Sequence, residues 1–148
     1  MAVPYEGATS GDKARIEITR ILQKFGCESV GMMDDFADHS VLLAFKHRGR
    51  AVQLRASAKG WAQMYLKVNP WNHQRKGSKQ AYEQKALKQG QVAVNSILRD
   101  CVKGQITAVE CGLLSFEAVF MPHMLTSDGR PLLDRVLEAK MLPPPETR

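Results

Sequence analysis

Acidic residues are almost missing from one third of this chain. Between Val41 and Gly90, Glu83 is the single acid among eleven Lys and Arg, a net of +10. All the other residues together carry −4, so the overall charge of +6 conceals a segregation. Cations concentrated this way make a positive surface for an anionic partner, not a speckled solvated one. Long apolar runs are missing too. No stretch of about 18 hydrophobic residues exists, which excludes a transmembrane helix and a membrane-spanning partner role. The opening residues MAVPYEGATSGDKAR lack the apolar centre of a secretory leader.

Cysteine is scarce. Cys27, Cys101 and Cys111 are odd in number, far apart and without a CxxC pair. They read as reduced thiols, small buried apolar residues of a cytoplasmic protein. With His39, His47, His73 and His123 they show no zinc-ligand spacing. Also absent are GxxxxGK[ST], GxGxxG and a serine in a nucleophile elbow. No cofactor, metal or catalytic site is therefore expected. Internal repeats and long linkers are missing as well.

What is present is an ordinary globular balance, 44% hydrophobic and 24% charged, sufficient for one domain with one core. Its centre is VLLAFKHRGRAVQLRAS, Val41 to Ser57. Pairing His47 with Arg50 around Arg48-Gly49 sets the register of a β-hairpin. Phe45 then faces Val52, Leu43 faces Leu54 and Val41 faces Ala56 on one apolar side. Lys46 with Ala51, Ala44 with Gln53 and Leu42 with Arg55 make a mixed, basic side.

Before the hairpin, residues 1–9 read as a flexible lead-in. Thr9 or Ser10 caps a first helix to about Lys24, with Ala14, Ile18, Ile21, Leu22 and Phe25 inward and Gly26 at its end. Cys27 to Met33 is the third strand of a meander, and Asp34 to Ser40 an acidic connection. After the hairpin comes a short helix, Ala58 to Lys67, stopped by Asn69-Pro70. Trp71 to Ser78 is a basic loop.

Ser78 caps a long helix to Lys103, with Cys101 on its apolar arc. Beyond it Ile106 would fall in the polar stripe, so the helix should break at Lys103-Gly104 and resume from Gln105 to Glu110. Ser115 caps FEAVFMPHML, which Pro122 ends. This segment is core, with an oligomer interface as its alternative. Ser127 to Gly129 is a turn. The helix PLLDRVLEAKML should bury Leu132, Leu133, Val136 and Leu137. Residues 10–141 thus form one α+β domain, a small three-stranded antiparallel sheet on an N-terminal helix and a long C-terminal helical segment. Residues 142–148 are a Pro-rich tail.

One constellation could carry function. It joins the hairpin tip (His47, Arg48, Arg50) with Arg55 and Lys59, and the loop residues Trp71, His73, Arg75 and Lys76. Lys79, Lys85 and Lys88 extend it. Cations bind phosphates and release counterions, and an exposed aromatic can stack a base. The expected partner is nucleic acid, DNA ahead of RNA. The alternative is a protein module docking by the same surface on a host or phage nucleic-acid enzyme.

A helix, three strands and a helix also describe some metal-dependent nucleases. These need clustered carboxylates beside a lysine. The available acids are Glu17, Asp34, Asp35 and Asp38, but Gln53-Leu54-Arg55 stands where an acid-x-Lys pair is needed.

In element order, hairpin and the ending FEAVFMPHMLTSDGRPLLDRV, the chain resembles small uncharacterised proteins encoded by bacterial viruses and prophages. The resemblance spans most of the chain. It implies a bacterial cytoplasm during infection, and it implies no activity and no functional residue.

Overall fold

The computed structural model describes residues 2–9 and 11–146. Its elements are α1 (Gly11–Phe25), β1 (Ser29–Asp35), β2 (Ser40–His47), β3 (Arg50–Ser57), α2 (Ala58–Val68), α3 (Lys79–Glu110), α4 (Phe116–Phe120) and α5 (Leu132–Glu138). The protein is an α+β fold with one antiparallel sheet in the order β1-β2-β3.

The hairpin forms in the register that its alternation dictates, from Ser40 opposite Ser57 to His47 opposite Arg50. Arg48 and Gly49 both adopt positive φ, as a two-residue turn matched to strand twist requires. Val41, Leu43, Phe45 and Val52 are buried. They meet Ile18 and Leu22 of α1, Val94, Leu98, Val102 and Ile106 of α3, and Phe116 and Phe120 of α4 in one core. At the far edge of the sheet the chain returns after α4, and Leu125 N donates to Ala51 O at 2.8 Å.

Helix ends follow local chemistry. Gly26 is left-handed, and Cys27 N and Gly26 N donate back to Leu22 O and Gln23 O, a Schellman closure that favours glycine. Ser57, Ser78 and Ser115 cap α2, α3 and α4 by accepting from Gly60 N, Ala81 N and Ala118 N. Ser10, a proposed cap for α1, lies outside the described residues.

Several expectations need correction. β1 runs Ser29–Asp35 instead of Cys27 to Met33. Cys27 is consumed by the closure of α1, and the ladder continues through Asp34 opposite Val41 and Asp35 opposite Ser40, with the Asp34 carboxylate paired to Arg15 of α1. Asp35 is the last strand residue and accepts from Ala37 N and Asp38 N. α3 does not break at Gly104; it is one helix of 32 residues. Its buried positions Ala86, Gly90, Val94, Leu98, Val102 and Ile106 recur every fourth residue. Such a stripe advances about 40° per step around a 3.6-residue helix. It passes from α2 to the sheet to α4, so Ile106 is buried although it is out of phase with Tyr82.

Cys101 and Cys111 are exposed, and only Cys27 is partly buried. Burial, with Glu28 beside it, pushes the Cys27 thiol up to about 11. None of the four apolar residues expected to be buried in α5 is: Leu133 and Leu137 are exposed and Leu132 and Val136 only partly covered, because α5 has no second layer to cover that side. The segment from Phe116 is core at Phe116 and Phe120. Residues 2–9 are pinned: Val3 is buried, Trp61 Nε1 donates to Pro4 O at 3.0 Å, and Tyr5 Oη donates to Asp100 at 2.7 Å.

Candidate nucleic-acid interface

The twelve candidate residues fall into separate groups. The first surrounds a cleft of about 730 Å³ between α2, α3 and the loop that joins them. Asn69 stops α2, its N–H bonded to Tyr65 O at 2.8 Å. The loop is then folded back onto α3. Tyr82 Oη donates to Asn69 O at 2.7 Å, and Arg75 Nε donates to Pro70 O at 3.1 Å. The Arg75 guanidinium lies 4.8 Å over the Tyr82 ring, a cation–π contact that holds the charge at the rim.

Trp61 and Tyr65 stack with ring centres 5.6 Å apart and 14° between planes. Tyr82 is 6.4 Å from Tyr65. These rings form the apolar part of the cleft, and Arg75, Lys76, Lys85 and Lys88 its cationic part. Lys85 and Lys88 share the cleft because residues three apart lie on one helix face. The Tyr65 hydroxyl is held above its ordinary value, first by its hydrogen bond with Tyr82 and then by burial. It stays neutral near pH 7. Glu6 is the one acid among the lining residues.

Trp71 and His73 pack edge to face at 4.8 Å in the same loop, but neither lines the cleft. Trp71 Nε1 is buried and has no hydrogen-bond acceptor. Lys79 pairs loosely with Glu83 at 3.9 Å. Lys59 is exposed on the first turn of α2.

The hairpin tip lies elsewhere. His47 is set between Phe25 and Phe116, each ring 4.8 Å away. Arg50 pairs with Glu117 at 3.1 Å, and Gly49 N donates to Glu28 at 3.0 Å. His47, Arg48, Arg50 and Glu117 border a recess that Val109 of α3 also lines. From Tyr82 to Val109 α3 rises about 40 Å, so tip and cleft sit at opposite ends of the helix. Arg55 is a third group. It lies 3.7 Å from Asp35 and 3.8 Å from Asp38, and it donates to Ser40 Oγ at 2.8 Å.

The four acids weighed for a nuclease are dispersed in the same manner. Glu17 faces Arg99 and Lys103, Asp34 faces Arg15, and Asp35 and Asp38 face Arg55. Among the described residues no three His, Cys, Asp or Glu are grouped as metal ligands.

Sequence reasoning missed Tyr65, Tyr82 and Glu6. Tyr82 is half-buried, lining the cleft while its hydroxyl is tied to Asn69 O. The available signal was a tyrosine on each side of a basic loop. Glu6 gave none, since only the folded lead-in brings it to the cleft. Searches of family models, curated proteins and solved structures give no match to this chain, so the site is read from its own chemistry.

Proposed function

We propose that this protein is a non-catalytic accessory that binds single-stranded nucleic acid, DNA ahead of RNA, through the cleft between α2 and α3. The supporting observation is the cleft itself: the half-exposed rings of Tyr65 and Tyr82, with buried Trp61 stacked behind Tyr65, beside Arg75, Lys76, Lys85 and Lys88. Cations track phosphates without regard to sequence, and a ring face accepts any base. A duplex keeps its bases stacked on one another and cannot lay one on a ring, whereas a flexible single strand can turn one inward. The setting, replication or recombination of a phage inside a bacterial cytoplasm, belongs to the same proposal and rests on the sequence resemblance.

Titrating a labelled dT12 oligonucleotide at about 50 mM and about 200 mM salt tests the reading. Affinity should fall at least tenfold across that range, as for a protein neutralising several phosphates. Salt-independent affinity, or none at low salt, would defeat it.

A protein-docking reading has one observation of its own. Leu133, Leu137, Met141 and Leu142 are exposed along and just after α5, more apolar side chain than a solvated helix needs. Recovery of a stoichiometric protein partner from nuclease-treated bacterial lysate favours it. So does loss of that partner on Leu137→Asp substitution.

A further inference from the structure

The odd feature of the cleft is its acid. Glu6 lines it together with four cations, yet no ion pair joins the Glu6 carboxylate to any of them among the described residues. Nor is Glu6 a stray side chain. Gln89 Nε2 donates to both Glu6 O and Ala8 O at 2.9 Å, and Glu6 N donates to Val3 O at 3.2 Å. The backbone on both sides is therefore tied to α3 and to the core. The carboxylate lies near enough to Tyr65 for its charge to add to the Tyr82 hydrogen bond and burial in holding that hydroxyl above its ordinary value.

A carboxylate accepts hydrogen bonds and donates none, and it repels a phosphate. In a cleft that takes a nucleotide it fits against a donor, either a sugar hydroxyl or the edge of the base, and only the second distinguishes one base from another. The volume of about 730 Å³ lies within the range of pockets that enclose a small molecule. Among the bases, guanine presents two adjacent donors, N1–H and N2–H, that match the two oxygens of one carboxylate. Cytosine and adenine each offer an amino group next to a repelling ring nitrogen. Thymine offers one N–H between two carbonyls.

We propose that the cleft is a nucleotide pocket with a preference for guanine. The base lies against Tyr65 and Tyr82, the phosphate meets Arg75, Lys76, Lys85 and Lys88, and Glu6 reads the guanine edge. This rests on the nucleic-acid reading of the cleft and adds to it a base preference that the cations and rings alone do not supply.

Displacement of labelled dT12 by dGMP, dCMP, dAMP and dTMP tests it, with the full chain and with Glu6→Gln. The native protein should prefer dGMP over dTMP by about tenfold, the lower range for one bidentate base contact. Glu6→Gln keeps the backbone bonds to Gln89 and should bring the four nucleotides within about twofold of one another. Equal displacement by all four in the native protein overturns the guanine preference and leaves single-strand binding intact. A uniform gain in affinity for Glu6→Gln with selectivity unchanged overturns the role of Glu6 in reading the base and makes it an internal competitor for the cations that hold the phosphate. Failure of dT12 to bind at low salt overturns both readings.

Discussion

The hairpin tip and the cleft, at opposite ends of α3, are both basic in sequence and differ in what their cations touch. At the hairpin tip Arg50 meets Glu117, the loop N–H meets Glu28, and His47 is packed between two phenylalanines. At the cleft, Arg75 lies on an aromatic ring and donates to a carbonyl oxygen, while Lys76, Lys85 and Lys88 line an open recess. A cation opposite a carboxylate steadies the fold and has little field left for a ligand. One held by neutral groups keeps its full charge for a ligand. Density of Lys and Arg along a chain is therefore a poor guide to a binding surface until the acids brought in by folding are counted.

The comparison can be sharpened by loosening each end separately. The tip rests on Phe120, which is fully buried and meets Phe45 edge to face at 5.4 Å. Phe120→Ala should cost about 3–5 kcal/mol, read as a lower urea midpoint. Ligand binding by molecules still folded should be unchanged. Loss of affinity out of proportion to unfolding would mean that the two ends are coupled.

At the cleft end α2 and α3 approach closely at Gly90, where an added Cβ would lie 2.7 Å from Ala58 O and 3.4 Å from the Trp61 ring. Gly90→Ala should cost about 1–3 kcal/mol and weaken ligand binding by displacing Trp61. Gly104 is the opposite case, with nothing near its missing Cβ inside a continuous helix. Gly104→Ala should stabilise by about 0.5–1 kcal/mol. A loss of stability there would contradict the unbroken α3.

The smallest effect concerns the strap that delivers Glu6. Asp100 is held below its ordinary value, first by Arg99 and then by the Tyr5 hydroxyl. Its folded form thus binds a proton less readily than its unfolded form. The resulting stability is present above the unfolded value of about 4 and is lost as pH falls through the folded one. The carboxylate is solvent-exposed, so Asp100→Asn should cost less than about 1 kcal/mol at pH 7. It should also flatten the acid limb of the stability curve. An unchanged acid limb would show that Asp100 does not hold Tyr5.

Much of the fold is legible in the sequence because its patterns are local. Strict alternation fixes the hairpin pair by pair, from Val41 opposite Ala56 to His47 opposite Arg50. Ser78, Ser115 and Gly26 mark helix ends by their own chemistry. What escapes is decided by distant partners. The continuity of α3 depends on a core stripe that changes neighbours along its length, and a fixed helical phase cannot represent that. Arg50 and Arg55 read as ligand-facing until Glu117, Asp35 and Asp38 arrive from other parts of the chain. The cations of the cleft are visible as a run, but its rings look like core and its acid like part of a loose lead-in.

The central claim is that the two basic ends are not equivalent, and a paired substitution tests it most directly. Arg75→Ala/Lys76→Ala and Arg48→Ala/Arg50→Ala each remove two positive charges, and the dT12 affinity of each is followed against salt. The cleft pair should lose about tenfold in affinity and lower the salt slope by about one to two, while the tip pair stays within about twofold of the native protein. Equal losses from both pairs, or a larger one from the tip, would contradict the account.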